Sequence, residues 1–389
     1  MENHVSFKEK FGIASTQFGG MLGAGVASGA GVTVYFVQKS GYFSAIVPIL
    51  SLLLLFAIYY LGMETSRLYH LENNSQLYNL LYGNSVLKKV FTPLANVTVF
   101  YMMILSCAMA FGGAGSILKQ YFNAPSLFGG AITAVACILV IFFGMEVFKK
   151  LQSIFCLIMF VILTASYVTA LSRGGMTLVF EKISMHWLPE TAGIGSSIWW
   201  ALSFTAMYIG FLPLLIMSGK SLQSSKNIKS TLGIGFVLNM SAVYLPCISI
   251  LAYSPEAAAA DIPASFVVEQ AGIPFASQLY LILLILALIS TGASCLVTIG
   301  GQLSPYLPKS IKSEKTRNSI IYVAFAAIFT LFAPLGLAGT IKLLAPIANY
   351  LCIFGLGLPL CALAPYQIII KRREQKSTIS KIYTTKETK

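Results

Sequence analysis

Gly19-Gly-Met-Leu-Gly-Ala-Gly-Val-Ala-Ser-Gly-Ala-Gly31 lies inside an apolar stretch, residues 11–38, that is long enough to cross a bilayer. Six of these residues are glycine. Each adds backbone freedom and costs a helix about 1 kcal/mol relative to alanine. The stretch therefore predicts a transmembrane helix that does not stay continuous. In hydrocarbon an unwound backbone survives only where protein or a water-filled cavity satisfies its peptide groups. A helix interrupted near the midplane is how many secondary carriers build a binding site.

The rest of the chain reads as a membrane protein. Its 389 residues are 57% hydrophobic and only 10% charged, and mean hydropathy is +0.79. A soluble domain carries about 25% charged residues. Ten apolar segments are expected at about 11–38, 42–66, 91–118, 127–148, 151–172, 194–218, 230–253, 275–300, 318–335 and 339–368. A β-barrel would show alternating segments of about ten residues, and none appear.

The formal net charge of +13 is topological. With the N-terminus inside, the cytoplasmic segments hold every Lys and Arg except Lys39, Lys119, Arg173, Lys182 and Lys342. The positive-inside rule then gives ten spans with both termini cytoplasmic. Binding of nucleic acid is not indicated, and the basic tail is suited to anionic lipid. Residues 1–370 are expected to form one transmembrane domain and 371–389 a basic, unstructured cytoplasmic tail. Lys8 and Lys10 before an apolar segment mimic a secretory signal, but residues 11–22 lack a leucine-rich core, so this helix is expected to stay. All seven cysteines fall within expected spans and show neither a disulfide framework nor zinc spacing. No nucleophile–base pair or phosphate loop is present, so the reading is not an enzyme and needs no organic cofactor.

Ten spans divide into five plus five, about 11–172 and 194–368, and an odd number per half inverts the second. The sixth span, in the position matching the first, carries Ser203 and Thr205 at mid-membrane and then Gly210 and Pro213. Paired interruptions in inverted halves point to a midplane site. In the first span Gly23, Ala24, Gly25, Val26 and Ala27 are backbone candidates, with Ser28 as a side-chain donor. Free N–H groups suit a substrate carboxylate and free C=O groups a cation. In the sixth span Ser203, Phe204, Thr205 and Tyr208 are candidates, and in the third Tyr101. Blander uses exist for all of these. Gly19-x-x-x-Gly23 and Gly25-x-x-x-Gly29 also serve close helix packing, and Ser and Thr also bond to their own helix carbonyls. No Asp, Glu, Lys, Arg or His falls near an expected midplane, which disfavours a metal or polycation carrier. Glu64 and Glu146 read as interfacial ion pairs with Arg67 and with Lys149 and Lys150.

Leu22-Gly-Ala-Gly-Val-Ala-Ser-Gly29 resembles the signature that opens the first helix of YkvI-like membrane proteins. That family is similar in architecture to the amino acid–polyamine–organocation superfamily, with the LeuT fold. Such chains usually follow the Ser-Gly with a polar residue and an acid, where this sequence has Ala30 and Gly31. The resemblance implies a 5+5 inverted repeat with the first and sixth helices broken, in the cytoplasmic membrane of a bacterium. It also implies a small amino-acid-like solute carried by alternating access. In sodium-coupled members an Ala and two adjacent hydroxyl residues of the eighth helix face carbonyls of the first around Na⁺. This resembles Ala287, Ser290 and Thr291 with Gly19 and Leu22. Ordinary Ser/Thr hydrogen bonding between helices is the alternative. Some proton-coupled relatives place a lysine in the fifth helix, which has none internally here, so H⁺ is the second choice of coupling ion. A ligand sensor of the germinant-receptor type, with the same fold and no net transport, is the rival function. A channel would need polar residues along most spans, and these are scarce. Monomer and homodimer both stay open.

Overall fold

In the computed structural model, residues 5–71, 74–83, 86–143, 145–308 and 313–387 are described. All regular elements among them are helical. The first span comprises α1 (Phe7–Met21), α2 (Ala24–Ala27) and α3 (Ala30–Val32), the last running on through a wide turn to Ser40. Next come α4 (Val47–Leu68), the short α5 (Asn74–Tyr82), α6 (Val86–Phe122), α7 (Ser126–Phe143) and α8 (Met145–Ala170). A connecting helix α9 (Met176–Ser184) leads to the sixth span, α10 (Ile194–Tyr208) and α11 (Leu212–Ser218). The seventh is α12 (Ser225–Asn239) and α13 (Leu245–Ala252), joined by a bulged turn. Then α14 (Glu256–Ala259) and α15 (Pro263–Ala271) precede α16 (Ala276–Leu303), α17 (Glu314–Thr330), α18 (Gly336–Cys352) and α19 (Leu358–Glu387). Among the described residues eight stretches are long and apolar enough to cross a membrane, and one of them, Glu314–Gln375, holds two spans that part at Gly336: α17, and α18 continued into α19. With the interrupted first span this accounts for ten segments.

Packing follows the small residues. A Cβ on Gly112 would lie 2.7 Å from the carbonyl oxygen of Gly336, and one on Gly292 would lie 2.8 Å from Cys137 Sγ. Bare backbone there lets α6 approach α18, and α16 approach α7, as small-residue interfaces do in lipid. The Gly112–Gly115 run is thus a packing face of the third span. On the other side α1 packs on α12 and α11, while α4 packs on α10, α12 and α19.

Two expectations are corrected. The fifth helix starts at Met145, so the fourth and fifth spans meet earlier than 148–151, and the side chains of Glu146, Lys149 and Lys150 lie outside those described. Between the second and third spans Tyr78 and Tyr82 of α5 are buried, and their hydroxyls donate to the carbonyls of Leu356 and Gly355 (both 3.4 Å) where the tenth span bulges. The stretch from Lys371, expected to be unstructured, continues α19 to Glu387. Its first turn is pinned: Lys371 pairs with Glu374 at 3.1 Å, and Arg372 reaches Glu64 at 2.7 Å.

Candidate functional site

The first span stops being a helix at Leu22 (φ −75°, ψ 40°) and Gly23 (φ −76°, ψ −177°). The Leu22 amide still donates to Phe18 O (2.9 Å), but the next helical bonds run from Val26 and Ala27 to Gly23 O (3.1 and 2.9 Å). Among the described backbone bonds, the carbonyls of Gly19 to Leu22 and the amides of Gly23 to Gly25 have no partner. A second interruption follows at Ser28 and Gly29, where φ is +76°. There the chain needs glycine, since a Cβ would also sit 2.9 Å from Ala264 N. No such need exists at Gly19 or Gly23, whose Cβ positions face open space apart from Gly20 O at 3.7 Å, while Gly25 meets only Met109 Sδ at 3.6 Å. Close helix packing therefore does not account for Gly19 and Gly23. They leave peptide groups bare.

The sixth span is interrupted more gently. After Tyr208 it tightens into one 3₁₀ turn, Ile209–Phe211, and resumes as α11 with Pro213 in its first turn, where no N–H is required. The peptide oxygen of Tyr208 accepts from the Tyr59 hydroxyl. That hydroxyl belongs to a buried relay: Asn239 Nδ2 donates to Gln17 Oε1 (2.8 Å), and Gln17 Nε2 donates to Tyr59 Oη (3.4 Å). The opening in the sixth helix is thus filled by side chains, whereas the one in the first is not.

Between the two spans lies a cavity of about 290 Å³. One wall is the Gly19–Gly25 backbone, a second is the Met102, Ser106, Met109 face of α6, and a third holds Met207, Tyr208 and Phe211. Ala287, Thr291, Ser294, Cys295 and Thr298 of α16 complete it. No charged residue lines it. Ala24 and Gly25 at its deep end are buried, while Gly19 and Thr298 are exposed. The chamber therefore widens toward the face that carries the N-terminus and the end of α16.

The opposite side is sealed. Ser28 O accepts from Ala264 N (2.9 Å), and Ala27 O accepts from the Tyr280 hydroxyl (3.0 Å). Gln120 holds the α15 segment at both ends of its amide, accepting from Ile262 N (3.1 Å) and donating to Ser265 Oγ (2.9 Å). Above Tyr208 an aromatic stack of Phe204, Phe36 and Tyr35 fills the core (ring centroids 4.6, 4.8 and 5.7 Å from Phe204).

Of the residues expected at the substrate site, Gly23, Ala24, Gly25 and Tyr208 line the cavity. Val26 and Ala27 are buried beyond its end, and Ser28 Oγ bonds locally to Gly25 O (3.2 Å). Phe204 packs behind Tyr208. Thr205 is committed to α4, donating to Ser51 O at 3.0 Å, and the Tyr101 hydroxyl donates to Leu344 O at 3.1 Å. Ser203 Oγ is buried without a partner. Of the expected sodium ligands, Gly19, Leu22, Ala287 and Thr291 line this cavity from two different elements. Ser290 does not line it, yet its hydroxyl is buried and unpartnered. Sequence reading missed Met102, Met109, Phe211 and Cys295; the i, i+4, i+7 stripe Met102–Ser106–Met109 is the signal that marks one helix face.

At the basic face Glu64, fully buried, accepts from Arg67 Nε and Nη2 (2.9 and 2.7 Å), Ser225 Oγ (2.6 Å) and Arg372 (2.7 Å). The expected pair with Arg67 is thus part of a larger clasp joining α4, α12 and α19.

No protein-family model and no curated protein sequence matches the chain. Among solved structures the chain is similar to the inward-facing conformation of Mhp1, with TM-score 0.57 and 15% identity, over 94% of this chain and 77% of that one. At that identity the likeness is one of fold, and it covers nearly the whole chain. The protein thus has the all-helical LeuT-type architecture, with interrupted first and sixth helices enclosing its central cavity.

Proposed function

We propose that the protein is a secondary carrier of a small zwitterionic or neutral, amino-acid-like solute, coupled to Na⁺ and working by alternating access. One observation carries the reading: an uncharged cavity of about 290 Å³ ends on a stretch whose Gly19 to Leu22 carbonyls and Gly23 to Gly25 amides have no partner among the described backbone bonds. That size is at the lower edge of ligand sites, which run from about 300 Å³. The amides of Gly23 to Gly25 can donate to a carboxylate, and the carbonyls of Gly19 to Leu22 can accept from an ammonium group or bind a cation. With the basic face cytoplasmic, the chamber opens inward and the α15 side is shut.

The lining also supports the coupling ion. Na⁺ prefers oxygen, and Gly19 and Leu22, whose carbonyls have no partner among the described backbone bonds, line one wall with Ala287 and Thr291 on another. Drawing α1 toward α16 closes a neutral oxygen cage that holds the ion weakly and releases it. Ser290 supplies a further hydroxyl with no partner. No titratable carboxylate or amine lines the chamber to carry a proton instead. One Na⁺ entering down 100 mV supplies about 2.3 kcal/mol, enough for about forty-fold accumulation. The YkvI-like opening motif and the bacterial cytoplasmic membrane fit this reading.

The test is a thermal-shift screen of amino acids with and without Na⁺, followed by counterflow in proteoliposomes with the best binder. Saturable counterflow that rises with Na⁺ is expected. Binding without counterflow would assign the sensor function instead, and equal transport without Na⁺ would remove the coupling.

A further inference from the structure

Resting on the carrier reading, we propose that the transported solute has a bulky apolar body, of branched aliphatic, thioether or aromatic type. Charged and very small side chains are disfavoured. The lining decides this. Five methionines, Met21, Met102, Met103, Met109 and Met207, enclose the cavity together with Cys295. A chain with 13 methionines in 389 residues places five around one small chamber. Methionine is unbranched and polarisable, and it adapts to irregular apolar surfaces and to ring edges. Two of these sulfurs have a polar group behind them: Met207 Sδ lies 3.4 Å from the Tyr35 hydroxyl, which donates to Asn349 Oδ1 at 2.9 Å, and Met21 Sδ accepts from Gln17 Nε2 at 3.9 Å.

The geometry orients such a solute. Met109 Sδ lies 3.6 Å from where a Cβ on Gly25 would stand, so the sulfur wall begins at the bare amides. From there Met109, Ser106 and Met102 descend one face of α6 toward the open end. A carboxylate seated on the amides of Gly23 to Gly25 therefore sends its side chain along thioethers. Ser106 is the one hydroxyl on that α6 face, the hydroxyls of Tyr208, Thr291, Ser294 and Thr298 standing on the other walls, and no charged residue lines the cavity to meet an ionic side chain. A desolvated charge there would have no counter-ion, which is costly in a membrane interior.

The test is equilibrium binding of alanine, serine, leucine, methionine and phenylalanine to the full purified chain with Na⁺ present, with counterflow of each in proteoliposomes. Burying one methylene strengthens binding about four-fold. Leucine should therefore bind on the order of fifty-fold more tightly than alanine. Met109→Ser should lower leucine affinity by about ten-fold and narrow its lead over alanine, and Met109→Leu should recover the preference. Alanine or serine bound as tightly as leucine, or a leucine preference untouched by Met109→Ser, overturns the proposal. Counterflow favouring alanine removes the apolar-body inference and leaves the carrier standing. Leucine-selective binding without counterflow does the reverse. Binding of none of the five overturns both.

Discussion

On one side of Gly25 the first span is held from several directions, and on the other it lines the chamber. Outward of Gly25, Ala27 O, Ser28 O and the left-handed Gly29 are all engaged by α15 or α16. Inward of it, the carbonyls of Gly19 to Leu22 and the amides of Gly23 to Gly25 have no partner among the described backbone bonds, and these residues border the cavity. The same glycine-rich stretch thus does two jobs that composition does not separate. Its outer glycine permits a close seal, and its inner ones keep a wall bare. The carrier proposed above would require this asymmetry, because alternating access closes one path while the other is open.

Substitutions at the two ends should fail differently. Gly25→Leu should fold normally and abolish saturable binding, because its side chain occupies the deep end of the chamber beside Met109. Gly29→Leu should fail by losing stability. A left-handed residue with a Cβ costs about 1–2 kcal/mol before the contact with Ala264 is counted. Thermal stability in detergent and solute binding, measured on both variants, separate the two ends. If Gly25→Leu binds normally, the chamber is not the site.

The clasp at the basic face is next in size. Glu64→Gln leaves the guanidinium groups of Arg67 and Arg372 without their shared carboxylate, at a cost of about 2–3 kcal/mol. A lowered denaturation temperature is the expected readout, and an unchanged one would show that α19 is held by Tyr69 and Gln367 alone. Thr291→Val should leave the fold intact and raise the Na⁺ concentration for half-maximal binding about ten-fold, equivalent to about 1.4 kcal/mol. An unaltered Na⁺ response would assign Thr291 to helix packing. The smallest effect belongs to the outer pair Lys119–Asp261, 3.1 Å apart and partly exposed on both sides. Asp261→Asn should change stability by less than about 1 kcal/mol. Gln120→Leu, which breaks two bonds to the α15 segment, should exceed it in the same assay.

The break in the first span was legible because six glycines in a span-length apolar stretch leave few other outcomes, and charge placement gave the count of segments. Other features were hidden for physical reasons. Gly210 and Pro213 mark the sixth interruption, but not that Tyr59 fills it, since a hydroxyl reaching another helix leaves no trace in local sequence. Thr205 looks like a ligand residue in a midplane helix, yet Ser51 on α4 claims its hydroxyl. The methionine wall was invisible to hydropathy, because in lipid both faces of a helix are apolar and only tertiary packing tells lining from lipid contact. The extension of α19 was masked by its polarity: Lys371 and Arg372 look solvated but pair with Glu374 and Glu64.

The asymmetry about Gly25 is tested most directly by reciprocal access. Thr298→Cys at the open end and Ser28→Cys at the sealed end, each with the exposed Cys361 replaced by Ser, are reacted with an impermeant maleimide in sealed vesicles of known orientation. Without ligand, Thr298→Cys should label from the basic face and Ser28→Cys should be protected. Na⁺ together with the tightest-binding amino acid should slow the first and expose the second to the opposite side. Simultaneous labelling of both positions, or rates indifferent to ligand, would contradict a carrier that opens one side at a time.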